Sequence, residues 1–114
     1  MGGNRIVKVL KLKDMKKGWF IGNFEPTVFK TKDFEVSYRT HPKNSNWETH
    51  VHKVTTEINL LIKGKMTMCG KELNSGDIFI VYPNEISDPV FIEDCSIICV
   101  RVPSDPSDKY IIEK

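Results

Sequence analysis

The chain has 114 residues, enough for one hydrophobic core and too few for two, so we expect a single domain over residues 1–114. Its 17 basic and 15 acidic residues leave a net charge of +2, and the basic residues are not interleaved with aromatic ones as in base-stacking surfaces. This composition argues against a nucleic-acid partner. No stretch has the character of a secretory signal or approaches the roughly 18 apolar residues of a membrane span, so we expect no membrane association.

The three cysteines bear on the compartment. Cys95 and Cys99 lie four residues apart on one predicted strand, which separates them by about 13 Å and puts a disulfide between them out of reach. Reduced thiols are typical of the cytoplasm, where we expect this protein. Cysteines of this kind are more often buried and inert than reactive. The alternative is a reactive thiol, for which Cys99 is the candidate.

The first third of the chain predicts short strands. Residues 6–12 are β-prone, and residues 18–24 form a short apolar segment that ends at Glu25-Pro26. Residues 34–41 alternate between two kinds of side chain, which is typical of a strand with two different faces. One face carries Phe34, Val36 and Tyr38, and the other carries Glu35, Ser37, Arg39 and His41.

The remainder of the chain continues as short strands separated by turn residues such as Gly70-Lys71 and the run 74–77. No stretch shows a helical period of useful length. Many short strands without helices predict an all-β antiparallel sandwich or small barrel. We expect strands over residues 47–54, 57–62, 65–69, 78–82, 90–92, 95–102 and 110–112.

The residues with the clearest chemistry follow the loop at 42–46. His50 and His52 project from the same face of a strand with Cα atoms about 7 Å apart, so both imidazoles can reach one ion. Glu57 joins them only if the strand breaks, and Thr55-Thr56 is the predicted break. Two imidazoles and a carboxylate suit a divalent transition metal such as iron, manganese, nickel or zinc. Glu48 shares the histidine face, and we interpret it as a charge at the rim.

The spacing of His50, His52, Glu57 and Gly64 resembles the first signature motif of the cupin superfamily at each fixed position. The resemblance implies an antiparallel jelly-roll barrel, and it implies that His50, His52 and Glu57 are metal ligands inside that barrel.

The second cupin motif is matched in part. Gly76 and Asp77 fit it, and Asn84 takes the place of a turn glycine, a substitution that asparagine tolerates because it adopts positive φ. Ser87 stands where the family has its last metal-binding histidine. Asp88 could supply a fourth ligand if the turn shifts the register by one residue. The alternative is that Asp88 only caps the turn before Pro89.

The resemblance implies one of two functions. The first is a small metal-binding enzyme acting on a sugar-like or hydroxy-carbonyl substrate by isomerisation, epimerisation or oxygenation. Residues 18–22 and 103–110 are weakly similar to small cupins of sugar-nucleotide and polysaccharide pathways, which favours carbohydrate metabolism. The alternative is a non-catalytic cupin that binds a sugar or nucleotide-sugar without metal. Candidates for acid–base or supporting roles are Tyr38, Arg39, Tyr82, Asp88, Cys99 and Arg101.

The strand after Glu57 also predicts an assembly. Ile58, Leu60 and Ile62 should point away from the ligand face, yet all three are apolar. Strands that are apolar on both faces are usually covered on both faces. We therefore expect a homodimer in which a second subunit covers this surface, with the Trp19-Phe20 pair also buried. The alternative is cover by the N-terminal segment of the same chain.

Overall fold

Short antiparallel strands make up most of the computed structural model, which describes residues 6–113. A single turn of 3-10 helix at Leu12–Asp14 is the only helical segment in that part of the chain. No helix there is long and apolar enough to cross a membrane. The strands are β1 Trp19–Ile21, β2 Glu35–His41, β3 His50–Val51, β4 Thr56–Lys63, β5 Lys65–Met68, β6 Lys71–Asn74, β7 Ile78–Val81, β8 Ile86–Ser87, β9 Pro89–Phe91, β10 Cys95–Val102 and β11 Tyr110–Ile111.

The strands form one five-stranded sheet and two three-stranded sheets. The large sheet has the order β1-β2-β10-β4-β7, and the small sheets have the orders β11-β3-β8 and β6-β5-β9. Every pairing between these strands is antiparallel. The predicted all-β, antiparallel jelly-roll class is therefore confirmed.

Two sequence-based predictions about strands are wrong. Residues 6–12 contain no strand, because no neighbouring strand offers hydrogen-bond partners to this exposed segment. The strand predicted over residues 47–54 is reduced to His50–Val51. Hydrophobic alternation shows that a segment can be extended, whereas a strand also needs a partner at the right distance.

The interior of the barrel is divided into an apolar half and a polar half. The apolar core consists of Leu61, Met66, Leu73, Phe91, Cys95 and Ile97. The polar half includes the buried side chains of Glu35, Ser37, Glu57 and Asn59. A single strand crosses the boundary, since β4 buries Glu57 and Asn59 near its start and Leu61 further along.

Gly64 in the first motif and Asn84 in the second both have a positive φ, which explains the residue types at these two positions. Gly64 has φ 105°, and a Cβ there would overlap the carbonyl oxygen of Asp94 and lie 2.8 Å from Sγ of Cys95. Any larger residue would therefore separate the β4–β5 turn from β10. Asn84 has φ 70°, which confirms the expectation that it can replace the turn glycine. Its backbone N–H donates to the carbonyl oxygen of His52, tying this turn to the histidine segment.

Candidate metal centre

His50, His52 and Glu57 come together inside the barrel as the sequence predicts. Each of the three side chains offers one ligand atom, and these atoms all lie within 4.8 Å of one another. His50 belongs to β3, His52 follows it, and Glu57 is the second residue of β4. The three residues are only 3%, 4% and 8% exposed. This is the only such group of histidine, cysteine and acidic side chains found among residues 6–113.

The chain bends between His52 and Glu57, and Asp108 holds the bend. The Asp108 carboxylate accepts hydrogen bonds from the backbone N–H groups of Lys53, Val54 and Thr55 at 2.8–2.9 Å. It also accepts one from the Thr55 hydroxyl at 3.1 Å. The break lies at residues 53–55, slightly before the predicted Thr55-Thr56.

Asp108 is the main functional residue that the sequence reasoning missed. Burial alone would raise the pKa of the Asp108 carboxyl, but the hydrogen bonds from the bend outweigh it and lower that pKa to about 2. The residue lies 53 positions from its nearest hydrogen-bond partner on the bend, in a polar exit segment. Spacing along the chain carries no signal for a contact of that kind.

Both histidines are held in the tautomer that metal ligation needs. The Nδ1–H of His50 donates to the carbonyl oxygen of Glu48 at 2.8 Å, and the Nδ1–H of His52 donates to the carbonyl oxygen of Asp108 at 3.1 Å. A carbonyl oxygen can only accept, so the proton sits on Nδ1 and the Nε2 lone pair is free in each ring. Burial is the largest influence on both histidines and lowers the pKa of each, which favours the neutral imidazole.

Glu57 is ionised despite its burial. Desolvation would raise the pKa of its carboxyl, but Arg101 and a hydrogen bond from Asn59 overcome that effect and lower it. The Nε–H of Arg101 donates to Oε2 of Glu57 at 2.9 Å. The two residues face each other directly in the β4–β10 ladder, so the register of these strands sets the ion pair.

The geometry fits a divalent cation. Nε2 of His52 is buried, has no hydrogen-bond partner among residues 6–113 and lies 3.6 Å from Oε2 of Glu57. Both atoms are acceptors, so neither can satisfy the other. Ligand atoms about 2.1 Å from a shared ion lie about 3 to 4 Å apart, so a cation between them would satisfy both.

A cavity of about 50 Å³ adjoins the cluster. His50 and Glu57 line it on the ligand side, and Arg39 and Arg101 bring two guanidinium groups to its wall. Ser87, which pairs with His50 in the β3–β8 ladder, also lines the cavity at the position where cupins have their last histidine.

Several predicted site residues lie elsewhere. Tyr38 and Tyr82 do not line the cavity, because their inward neighbours in the alternation are Ser37 and Val81. Asp88 is not in the ligand cluster, and its Oδ1 accepts a hydrogen bond from the hydroxyl of Thr49 at 2.8 Å. Its proposed role as a fourth ligand stays a prediction, which metal titration of Asp88→Ala would test.

Glu48 and Cys99 occupy the places that the sequence suggested for them. The Glu48 carboxylate is exposed and lies 3.8 Å from Nζ of Lys109, as expected for a charge at the rim. Cys99 is buried and lines the cavity. Desolvation, helped by the negative charge of Glu57, raises the pKa of its thiol well above the usual range, so the inert form prevails. All three cysteines are unpaired, in agreement with the expectation of free thiols.

A second buried carboxylate stands behind Arg101. Glu35 accepts a hydrogen bond from the Ser104 hydroxyl at 2.9 Å and lies 3.5 Å from Nη1 of Arg101. Burial raises the pKa of the Glu35 carboxyl, partly offset by Ser104 and Arg101. The polar face of β2 is thus the inward face, a choice that the regular alternation from Glu35 to His41 left open.

Known proteins share the fold of this chain, although none of the sequence comparisons gives a match. No protein-family model matches the sequence, and no curated protein matches it significantly. The fold matches an uncharacterised double-stranded β-helix protein from Klebsiella pneumoniae with a TM-score of 0.69 and 18% identity, covering 100% of this chain and 98% of that one.

Two further solved structures are similar. A cupin protein from Bacteroides fragilis has a TM-score of 0.53 and 22% identity, with 74% of this chain and 81% of that chain covered. A predicted oxalate decarboxylase from Thermotoga maritima has a TM-score of 0.55 and 19% identity, with 63% of this chain and 68% of that chain covered. At such identities the similarity establishes the fold alone. Combined with the antiparallel sheets, it shows that this chain has the cupin fold.

Proposed function

We propose that the protein is a metal-dependent cupin enzyme that binds a divalent transition metal through His50, His52 and Glu57. The observation that carries the proposal is the buried Nε2 of His52, which finds no hydrogen-bond partner in the described part of the chain and faces an ionised carboxylate. The predicted oxalate decarboxylase of the same fold is consistent with an enzyme of small oxygen-rich molecules.

The substrate we propose is a small hydroxy-carbonyl compound bound in the cavity beside the cluster. When bound, the metal would supply a Lewis acid for a carbonyl oxygen, which suits isomerisation or epimerisation, and iron would in addition supply a site for dioxygen, which oxygenation needs. The residues of the chain hold the substrate and exclude water: Trp47, Phe79 and Phe91 form apolar walls of the cavity. The relation to carbohydrate pathways stays a prediction that substrate screening would test.

Metal binding by matched variants tests the proposal. Purified protein should bind about one equivalent of Co²⁺, which is measured by visible absorption. His52→Gln and Glu57→Gln should each lower the affinity for Co²⁺ at least about tenfold, because losing a ligand weakens a metal site more than losing a residue that only supports a ligand. His41→Gln and Glu48→Gln are the controls, because His41 is a buried histidine outside the cluster and Glu48 an exposed carboxylate near it. Equal losses in all four variants would contradict the assigned ligand set.

One observation favours a metal-free binding protein as the second candidate. Arg101 already neutralises Glu57 at 2.9 Å, so the carboxylate has a cationic partner without any metal. In that case wild-type protein would bind no Co²⁺ and would still bind a small polar ligand in the cavity. Metal titration of the wild type therefore separates the two functions.

A further inference from the structure

The cavity wall carries a guanidinium group that no carboxylate of the described chain neutralises. Arg39 lies on the inward face of β2 between the buried residues Ser37 and His41, and it lines the cavity. None of the ion pairs within residues 6–113 includes Arg39, and its side chain donates no hydrogen bond there. Arg101, by contrast, is shared between Glu57 and Glu35.

Arg39 is held in place by an aromatic ring. Its guanidinium carbon lies 4.5 Å from the centre of the Trp47 ring, a cation–π contact. Such stacking uses the face of the guanidinium plane and leaves the N–H groups at its edge free for a planar acceptor. The N–H donors of Arg39 therefore have no acceptor among the described residues and are available to a ligand.

A divalent ion would unbalance the charges around the cavity toward the positive. Two guanidinium groups, of Arg39 and Arg101, face two buried carboxylates, of Glu35 and Glu57. A divalent ion at the cluster would leave an excess of two positive charges in a buried place. Burial and the nearby positive charge of Arg101 lower the pKa of Arg39, and the negative charge of Glu57 offsets this only in part.

We propose that Arg39 binds the carboxylate of the substrate, so that the substrate is a small 2-hydroxy or 2-oxo acid. This rests on the proposed function, because the hydroxyl or carbonyl oxygen of such an acid would then lie on the side of His50 and Glu57. A planar carboxylate matches the fork of one guanidinium, and inorganic phosphate is the competing anion that the experiment also tests.

The experiment compares an acid with its neutral isostere. Calorimetric titration of lactate and lactamide into Co²⁺-loaded and into chelator-treated protein gives the preference for the charged form. Wild-type protein should bind lactate at least about tenfold more tightly than lactamide, a difference of about 1.4 kcal/mol. Arg39→Met should bring the two affinities together while Co²⁺ stoichiometry and the circular dichroism spectrum stay as in the wild type.

The control is Lys53→Met. The Nζ of Lys53 lies 4.0 Å from the centre of the Tyr110 ring, so it is also a cation stacked on an aromatic ring, and neither residue lines the cavity. It should keep the full preference for lactate. Equal binding of lactate and lactamide by the wild type, no binding of lactate at all, or an equal loss of both in Arg39→Met would overturn the proposal. So would Arg39-dependent binding of inorganic phosphate in place of lactate.

Failure of the inference and failure of the proposed function have different signatures. If the wild type binds Co²⁺ but shows no preference that depends on Arg39, the carboxylate assignment is wrong and the metal centre stands. If the wild type binds no Co²⁺ but chelator-treated protein prefers lactate through Arg39, the metal centre is wrong and the carboxylate assignment stands.

Discussion

Single residues far apart in the chain decide the geometry of the candidate metal centre. Asp108 holds the bend that lets Glu57 join the two histidines, and its own carbonyl oxygen orients His52. Carboxylates that accept several backbone hydrogen bonds are strongly stabilised in the ionised form. The bend is therefore charged at its centre, which makes its stability dependent on pH.

The first prediction concerns this charge. The pKa of Asp108 is about 2 in the folded protein against an ordinary value of 3.8, so its contribution to stability is present above about pH 4 and is lost as the pH falls toward 2. Asp108→Asn should lower the free energy of unfolding by about 2 kcal/mol at pH 7. Urea unfolding at several pH values measures this difference.

The matched control is Asp105→Asn. The Asp105 carboxylate belongs to the same segment and accepts hydrogen bonds from the backbone N–H and the hydroxyl of Ser107 in an exposed turn. This substitution should change the stability little. A wild-type advantage over Asp108→Asn that stayed constant from pH 7 down to pH 2 would show that the charge of Asp108 is not what holds the bend.

At the scale of elements, the register of the paired strands determines which side chains face one another at the site. Glu57 and Arg101 are direct partners in the β4–β10 ladder, and His50 and Ser87 are direct partners between β3 and β8. Because side chains alternate between the two faces, a shift of one residue would turn Glu57 outward and Ile58 inward. The apolar inner residues further along the same strands, Leu61 and Ile97, oppose any such shift.

The second prediction follows from this register. Arg101→Gln would leave Glu57 and Glu35 without their shared cation, and loss of one partner of a buried ion pair lowers the free energy of unfolding by about 3–5 kcal/mol. Glu57 would then be free for a metal, so Co²⁺ should raise the melting temperature of Arg101→Gln more than that of the wild type. Thermal unfolding with and without Co²⁺ measures both effects.

Arg101→Lys serves as the control, because it keeps the positive charge beside both carboxylates. Its response to Co²⁺ should resemble that of the wild type. If Co²⁺ stabilised Arg101→Gln no more than the wild type, competition between Arg101 and the metal for Glu57 would be disproved.

At the scale of the whole molecule, the outer face of the large sheet is apolar and open. Ile78 and Ile80 of β7 are 67% and 45% exposed, and Ile58 and Ile62 of β4 are also exposed beside them. Residues 6–12, the part of the N-terminal segment that the structure describes, do not cover this face. Leu10 and Leu12 instead adjoin Phe20, Val28 and Tyr38 near β1 and β2.

The third prediction is that this face is a dimer interface, as the alternation of β4 suggests. Light scattering at micromolar concentration should give about twice the chain mass of 13.1 kDa. Ile78→Lys should produce a monomer, because a buried, unpaired ammonium group is unfavourable in an apolar interface. Val90→Lys, at an exposed apolar position on β9, should leave the dimer intact. A wild-type monomer at every concentration would rule this interface out.

Local chemistry is what the sequence by itself determined about this protein. Alternation predicted the strand at residues 34–41, the His50-x-His52 spacing predicted a shared ligand face, and Asn84 was correctly expected to accept positive φ. These are consequences of backbone geometry over a few residues, and they hold wherever the segment is placed. The fold class followed because short strands and turns leave few other arrangements.

Only the tertiary structure decided which residues surround the ligands. Asp108, Glu35 and Ser104 lie more than 40 residues along the chain from the residues that they contact at the site. Arg39 lines the cavity and Tyr38 does not, because β2 turns the face of Arg39 inward. Hydrophobicity alone would have placed the apolar face of β2 inside. The barrel instead buries the polar face there, because Arg101 and Ser104 satisfy Glu35 while the Trp47 ring supports Arg39.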